Sequence, residues 1–394
     1  MTRTSDFNLT AVQRLLSLAA VTATAFGVGL SFGIGFPLTA LTFEAWAQPK
    51  WMIGLAGAVP AIAVLLALPV LPRIVVRLGP VTAIALGCLA GAAGFAALYA
   101  FQSPAAWLII RLLMSVGFAL PWLAGETWIN SVSEESTRGR VIAVYAIVFF
   151  TGFATGPFIL QNLGLDGPWP FIVGTLGSAV ASIPILLARR FAPEFCHDGS
   201  SDVTSALRMA PAAMASAFIG GFAEITNLSL IPNVGLAAGL SQNEALGLLS
   251  AMTIGGIALQ FPIGWLSDKV SRHAVTIGLA VAFVLLVLLL PFALASSGQA
   301  KIVCFLLGGA ILGFYTLGLA VIGERIAPGD LAAANAAFLV MYQAGSIVGP
   351  FAAGVAMTAS PVNGFVAIMT GLMIICGVAV VLLDRRERRA VERG

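Results

Sequence analysis

The chain has 394 residues, 59% of them hydrophobic and only 9% charged, with 43 glycines and 20 prolines. No soluble globular domain keeps such a composition from aggregating, so the chain belongs in lipid. Its formal charge of +3 is too small to mark a nucleic-acid binder, and its basic residues need another explanation.

Apolar runs of roughly 20 residues, the length that crosses about 30 Å of hydrocarbon, follow one another with short polar breaks. They fall at roughly 14–40, 51–72, 80–101, 104–128, 140–163, 169–190, 209–236, 243–266, 274–294, 300–323, 332–358 and 361–383, which predicts an all-α polytopic membrane protein of twelve spans. The first run follows Arg14 and offers Ala23 and Ala25 as small residues of a signal-cleavage kind, but it stays apolar to about Leu41 and reads as a span. The break after span two reads PRIVVRLGP (72–80). Span four carries Arg111, in RLLMSVGFA (111–119), and ends at Glu126; Arg140 opens span five, which holds TGFATGP (151–157).

The longest polar interruption, residues 189–208, contains Pro, Gly, Ser and mixed charges. It divides the chain into an N-terminal six-helix bundle (1–190), a linker (191–208) and a C-terminal six-helix bundle with a short basic tail (209–394). Span seven contains GGFAEITNLSL (220–230), in which Asn227 follows Glu224 by one helical turn on the same face. Span eight runs into GWLSDKVSRH (264–273), where Asp268, Lys269, Arg272 and His273 crowd together. Span ten carries Tyr315 and ends at Glu324; span eleven carries Tyr342, Gln343 and AGSIVGP (344–350). An acid at the end of the fourth span of each half, then a GxxxGP run in the fifth, is a repeat, and it implies two like bundles facing one another. Cys88, Cys304 and Cys376 fall in spans and Cys196 in a loop, without metal-ligand spacing, so free thiols are expected.

The distribution of the 20 Lys and Arg residues gives the orientation. Arg111 lies within a span, Lys50 and Lys301 fall on one side, and all the others fall on the other side or at the two ends. Both termini are therefore expected in the cytoplasm. The final run DRRERRAVERG is expected to be a solvated tail close to anionic headgroups.

Ionisable groups inside hydrocarbon are costly, and two stand out as functional candidates. Arg111 lies roughly 10 Å from the outer face and Glu224 roughly 22 Å from the inner one, at 1.5 Å per residue. That puts them at similar depth, where they could face one another across a cavity between the halves. A carboxyl group at that depth is placed to take up and release a proton. The alternatives are an arginine that locks adjacent spans through backbone carbonyls and a permanently paired glutamate. Asn227, Tyr315, Tyr342 and Gln343 are further candidates to line the cavity, with Gln260 beside them, each open to a simpler role in interhelical bonding. The glycines and prolines at Gly152, Gly156, Pro157, Gly345, Gly349 and Pro350 give flat faces that bend, as sliding helices require.

Other chemistries find little support. His197 and His273 fall in loops, so no intramembrane metal centre uses histidine. There is no phosphate-binding loop, and Met369 and Met373 read as core. No cofactor, metal, catalytic residue or enzymatic activity is expected.

Six plus six spans with a central loop resemble the major facilitator superfamily over nearly the whole chain. Gly264, Asp268, Lys269, Arg272 and His273 are similar to that superfamily's loop signature, although His273 stands where a second Arg or Lys is commoner. The signature is typical of the loop after span two, with a weaker copy after span eight. Here the order is reversed, since Pro72 and Val76 occupy the Gly and Asp places of the first loop. The resemblance implies a cytoplasmic gate of Gly264, Asp268, Lys269 and Arg272, with Glu126, Arg140 and Glu324 at the same end; Gly264 would let two helices approach closely. A charged loop that only marks the inside is the plainer alternative. RLLMSVGFA resembles the span-four motif of proton-coupled exporters, with Ser115 in place of the first glycine, and the GxxxGP runs resemble the span-five antiporter motif.

The expected function is a secondary transporter of the inner membrane that carries a small organic molecule by proton-coupled alternating access, exporting it by antiport. Proton-coupled uptake of a metabolite or metal chelate is the alternative, and a non-transporting receptor or assembly factor is the alternative of another class. Expected partners are the substrate, protons and lipid, without nucleic acid, and the protein is expected to work as a monomer.

Overall fold

The structure, a computed structural model, describes residues 9–135, 137–193, 207, 210–326 and 330–391. Cys196, His197, Arg208 and nearly all of the expected linker lie outside the described residues. Among the described residues twelve helices are long and apolar enough to cross a membrane, and this is a multi-pass membrane protein. They are α1 Ala11–Ala45, α2 Lys50–Ala67, α3 Pro80–Ala100, α4 Pro104–Val132, α5 Arg138–Leu163, α6 Trp169–Leu187, α7 Pro211–Ala237, α8 Gln242–Lys269, α9 Arg272–Ala293, α10 Ser297–Arg325, α11 Leu331–Ala359 and α12 Pro361–Val391. Among the described residues there is no strand.

Local chemistry sets the ends of these helices. Proline stands in the first turn of α3, α4, α6 and α7, where its missing N–H removes a donor that has no helical partner anyway. Ser103 and Ser271 cap α4 and α9 by accepting from the N–H groups of Ala106 and Ala274, each at 3.3 Å. Ser241 and Glu244 close a reciprocal capping box at the start of α8. Gly164, at φ 73°, ends α5 in a conformation that side chains with a Cβ rarely adopt.

The second span is shorter than the sequence suggests. Helix α2 stops at Ala67, two residues before Pro69, and the expected loop is a short helix, Leu71–Leu78. Leu71 and Val75 are buried on one face of it, while Arg73 and Arg77 are exposed on the other. At the far end, α12 continues to Val391, past the expected boundary.

The chain forms two compact units. Unit 1 comprises Met1–Gly35 and Leu66–Asp198; unit 2 comprises Phe36–Leu65 and Gly199–Gly394. This differs from a division at the linker in one respect: the last ten residues of α1 and nearly all of α2 join unit 2.

In unit 1, α1 and α5 lie backbone to backbone. A Cβ at Gly29 or Gly33 would come within 2.1 or 2.0 Å of the carbonyl oxygens of Phe149 and Phe153, and one at Gly152 within 2.1 Å of that of Phe26. Membrane helices have no hydrophobic drive to associate, so contact of this kind, through small residues, is what holds them. Ser31 of α1 and Ser178 of α6 share a buried hydrogen bond of 2.7 Å. The indole N–H groups of the buried Trp107 and Trp128 donate to the carbonyl of Leu98 (2.9 Å) and the hydroxyl of Ser17 (2.8 Å).

Unit 2 repeats the pattern with α7 and α11. A Cβ at Gly221 would meet the carbonyl oxygen of Tyr342 at 1.9 Å, and one at Gly345 that of Phe218 at 2.1 Å. The contacts match residue for residue: Gly29 corresponds to Gly221, Phe26 to Phe218, Phe149 to Tyr342 and Gly152 to Gly345. The joined segment of α1 and α2 packs here equally closely. Gly54 abuts the carbonyl of Pro350, and Gly57 abuts the side chain of Ser229. Lys50 pairs with Glu44, whose other carboxylate oxygen accepts from Asn233 Nδ2 at 2.8 Å. The same Nδ2 reaches the carbonyl of Ala40 at 3.2 Å.

Candidate functional site

Glu224 occupies the fourteenth of the 27 positions of α7. The register of α7 on α11 places it beside Tyr342, whose hydroxyl donates to Glu224 Oε2 at 2.9 Å. Tyr315 of α10 stands edge-on to Tyr342, with ring centroids 5.4 Å apart at 80°, and edge-on to Phe338 at 5.4 Å and 71°. Glu224 is half-buried, and no ion pair neutralises it among the described residues. The result is a carboxylate held by a phenol and framed by aromatic rings. A phenol O–H fixes one carboxylate oxygen and leaves the other to accept, while the ring faces carry the negative quadrupole that attracts cations.

The internal correspondence gives this cluster a counterpart in unit 1. Three residues after Gly29 stands Phe32, where three residues after Gly221 stands Glu224; Phe149 stands where Tyr342 does. Phe32 and Phe149 have centroids 6.4 Å apart, and Phe32 lies 5.1 Å from Phe118. The same backbone frame carries an acid and two phenols in unit 2 and bare hydrocarbon rings in unit 1.

Of the other cavity candidates, Gln343 is 3% exposed. Asn227 is fully buried and donates to the carbonyl of Ala223 in its own helix at 2.7 Å. Gln260 of α8 accepts from Thr316 of α10 at 2.8 Å, an interhelical bond. Arg111, 4% exposed, is engaged within unit 1: its Nη1 donates to the carbonyl of Gly35 at 2.9 Å and braces α4 against α1.

At the charged end, the helix of α8 runs through Gly264 to Lys269, and Lys269 Nζ lies 4.1 Å above the ring of Trp265. Among the described residues nothing lies within 4 Å of a Cβ placed on Gly264. Arg140 is exposed in the first turn of α5 and is not ion-paired with Glu126, which instead accepts from Trp122 Nε1 at 2.6 Å. The side chains of Asp268 and Glu324 lie outside the described residues. Unit 1 has an ion pair that the sequence reading missed, Arg14 with Glu134. Sequence reading also missed Glu44, Lys50 and Asn233, although a second Asn in the apolar run of α7, six residues after Asn227, is a signal that would have found the last.

The model of the Major Facilitator Superfamily matches residues 15–212 and again residues 213–394, one copy for each half. The chain belongs to the major facilitator superfamily. The MFS-type transporter YfkF of Bacillus subtilis (strain 168) is 30% identical over 339 residues, covering 83% of this chain and 85% of the relative. Among solved structures, a variant of the nucleoside transporter NupG matches with a TM-score of 0.76 at 17% identity, covering 93% of this chain and 99% of that one. A bacterial homologue of the human lysosomal transporter Spinster matches with 0.73 at 15% identity, covering 96% and 98%. At those identities the structures establish a shared fold. As a member of this superfamily the protein is a secondary transporter, and Glu224 is a half-buried acid midway along α7 in unit 2.

Proposed function

We propose that this superfamily transporter exports a small organic molecule carrying a positive charge in exchange for protons. The observation that carries the reading is the Glu224 carboxylate, mid-helix in α7, bonded by Tyr342 and flanked by Tyr315 with no basic partner among the described residues. A carboxylate in low dielectric needs one positive charge, which a proton or a cation supplies, and the two exclude one another. Arrival of a proton therefore releases the cation, and the exchange leaves the site's charge unchanged. Tyr342 orients the acid in both forms, and the rings of Tyr315 and Tyr342 receive the apolar body of the molecule. Arg111, seven residues into α4, is bonded to the carbonyl of Gly35, which favours a cation over an anion as the cargo. The excess of basic residues on one side supports both ends in the cytoplasm, and the likeness to a Bacillus subtilis transporter supports a bacterial inner membrane.

Proteoliposomes with an acidic interior test the reading. Ethidium added outside should accumulate and dissipate the pH gradient, and Glu224→Gln should abolish both. A Glu224→Gln protein that accumulates ethidium with the proton dependence of the wild type refutes the coupling role. Accumulation only when the outside is the acidic side gives symport instead.

A further inference from the structure

A second acid stands within a span and has no part in the site just described. Glu126 lies six residues, about 9 Å, before the end of α4. Trp122, one turn earlier, donates its indole N–H to Glu126 Oε1 at 2.6 Å. Tyr145 of α5 crosses beside it: its hydroxyl lies 2.9 Å from where a Cβ on Gly125 would sit, within electrostatic reach of the carboxylate. Glu126 is exposed, as is Asn130 one turn on, while Trp122 and Tyr145 are half-buried. Positions 122, 126 and 130 share one face of α4. A stripe holding an acid and an amide is costly against hydrocarbon and stable against water, so this face of unit 1 is a wetted surface within the span. Among the described residues Glu126 has no ion pair; Arg14 pairs with Glu134, two residues past the end of α4.

The arrangement has the chemistry of the Glu224 cluster built from different residues: a carboxylate, an aromatic N–H or O–H that orients it, and ring faces beside it. We propose that Glu126, Trp122 and Tyr145 form a second organic-cation site, within unit 1, which the transported molecule occupies during its passage. The site rests on the reading of Glu224 as a cation-binding carboxylate and extends it to the N-terminal unit. Its ligand is an ammonium-type cation with a flat apolar body. The carboxylate neutralises the charge, and the indole and phenol rings take the body, a combination that an anion or a neutral sugar does not exploit.

The test is a fluorescence titration of the purified full-length protein with ethidium, in the wild type, Glu126→Gln, Glu126→Asp, Trp122→Phe and Glu224→Gln. Glu126→Gln should weaken binding about tenfold. Glu126→Asp, which keeps the charge, should restore most of the affinity, an outcome that a folding defect would not give. Trp122→Phe keeps a ring and loses the donor, and should weaken binding by about threefold. If Glu126→Gln binds ethidium like the wild type while Glu224→Gln does not, the second site is refuted and the Glu224 reading stands. If Glu126→Gln is weakened and Glu224→Gln is unaffected, the second site stands and the Glu224 reading falls. Absence of ethidium binding by the wild type overturns both.

Discussion

The Tyr342 hydroxyl is the one hydrogen-bond donor to Glu224 among the described residues, and this single interhelical bond adds little beside the backbone-to-backbone packing of α7 on α11. Tyr342→Phe should therefore leave thermal unfolding of the purified protein near the wild-type value, yet slow gradient-driven ethidium transport by about tenfold, the worth of one hydrogen bond to a charged group. Arg111 predicts the reverse. Lysine cannot reproduce the planar donor set that reaches the carbonyl of Gly35, so Arg111→Lys should lower stability by about 2 kcal/mol and leave proton coupling intact. Altered coupling at unchanged stability would return Arg111 to the transport site. Sequence alone singled out Glu224 and Arg111 because a charge in a long apolar run is conspicuous whatever the packing. It did not join Arg111 to the carbonyl of Gly35, because a backbone oxygen is a partner that no side-chain pattern marks. Nor did it pair Glu224 with Tyr342, since 118 residues separate them and only the register of α7 on α11 joins them.

At the scale of helices, the GxxxGP runs were readable as flat, bendable faces, but not which helix each would meet. The answer is the first helix of the same half: α5 lies on α1 and α11 on α7, with backbone oxygens where side chains would otherwise stand. Gly33→Ala and Gly345→Ala should each cost on the order of 1–3 kcal/mol, since neither facing backbone can withdraw far. Gly278→Ala, on α9, has nothing within 4 Å of the new methyl and should be neutral or slightly stabilising. Thermal unfolding of the three variants in one detergent decides the matter, and equal midpoints would show that the close approaches are not what holds these helices.

For the molecule as a whole, composition and hydropathy yielded the twelve spans, since hydrocarbon imposes both the length and the helical form. The charge bias yields an orientation that labelling can check. In a background without the natural cysteines, Lys301→Cys should react with a membrane-impermeant maleimide in intact cells, and Arg140→Cys only after permeabilisation; the opposite pattern would invert the proposed topology. What hydropathy could not reveal is the membership of residues 36–65 in unit 2, because that depends on contacts with helices far along the chain. During synthesis the consequence is one of timing. The ribosome releases Glu44, Lys50, Gly54 and Gly57 roughly 170–300 residues before their partners Ser229, Asn233 and Pro350, about 9–60 s earlier at cellular rates of elongation. Through that interval the nascent hairpin of α1 and α2 stands in the bilayer without the surface it will finally cover. Glu44 and Lys50 are six residues apart, so each can neutralise the other before Asn233 has been made.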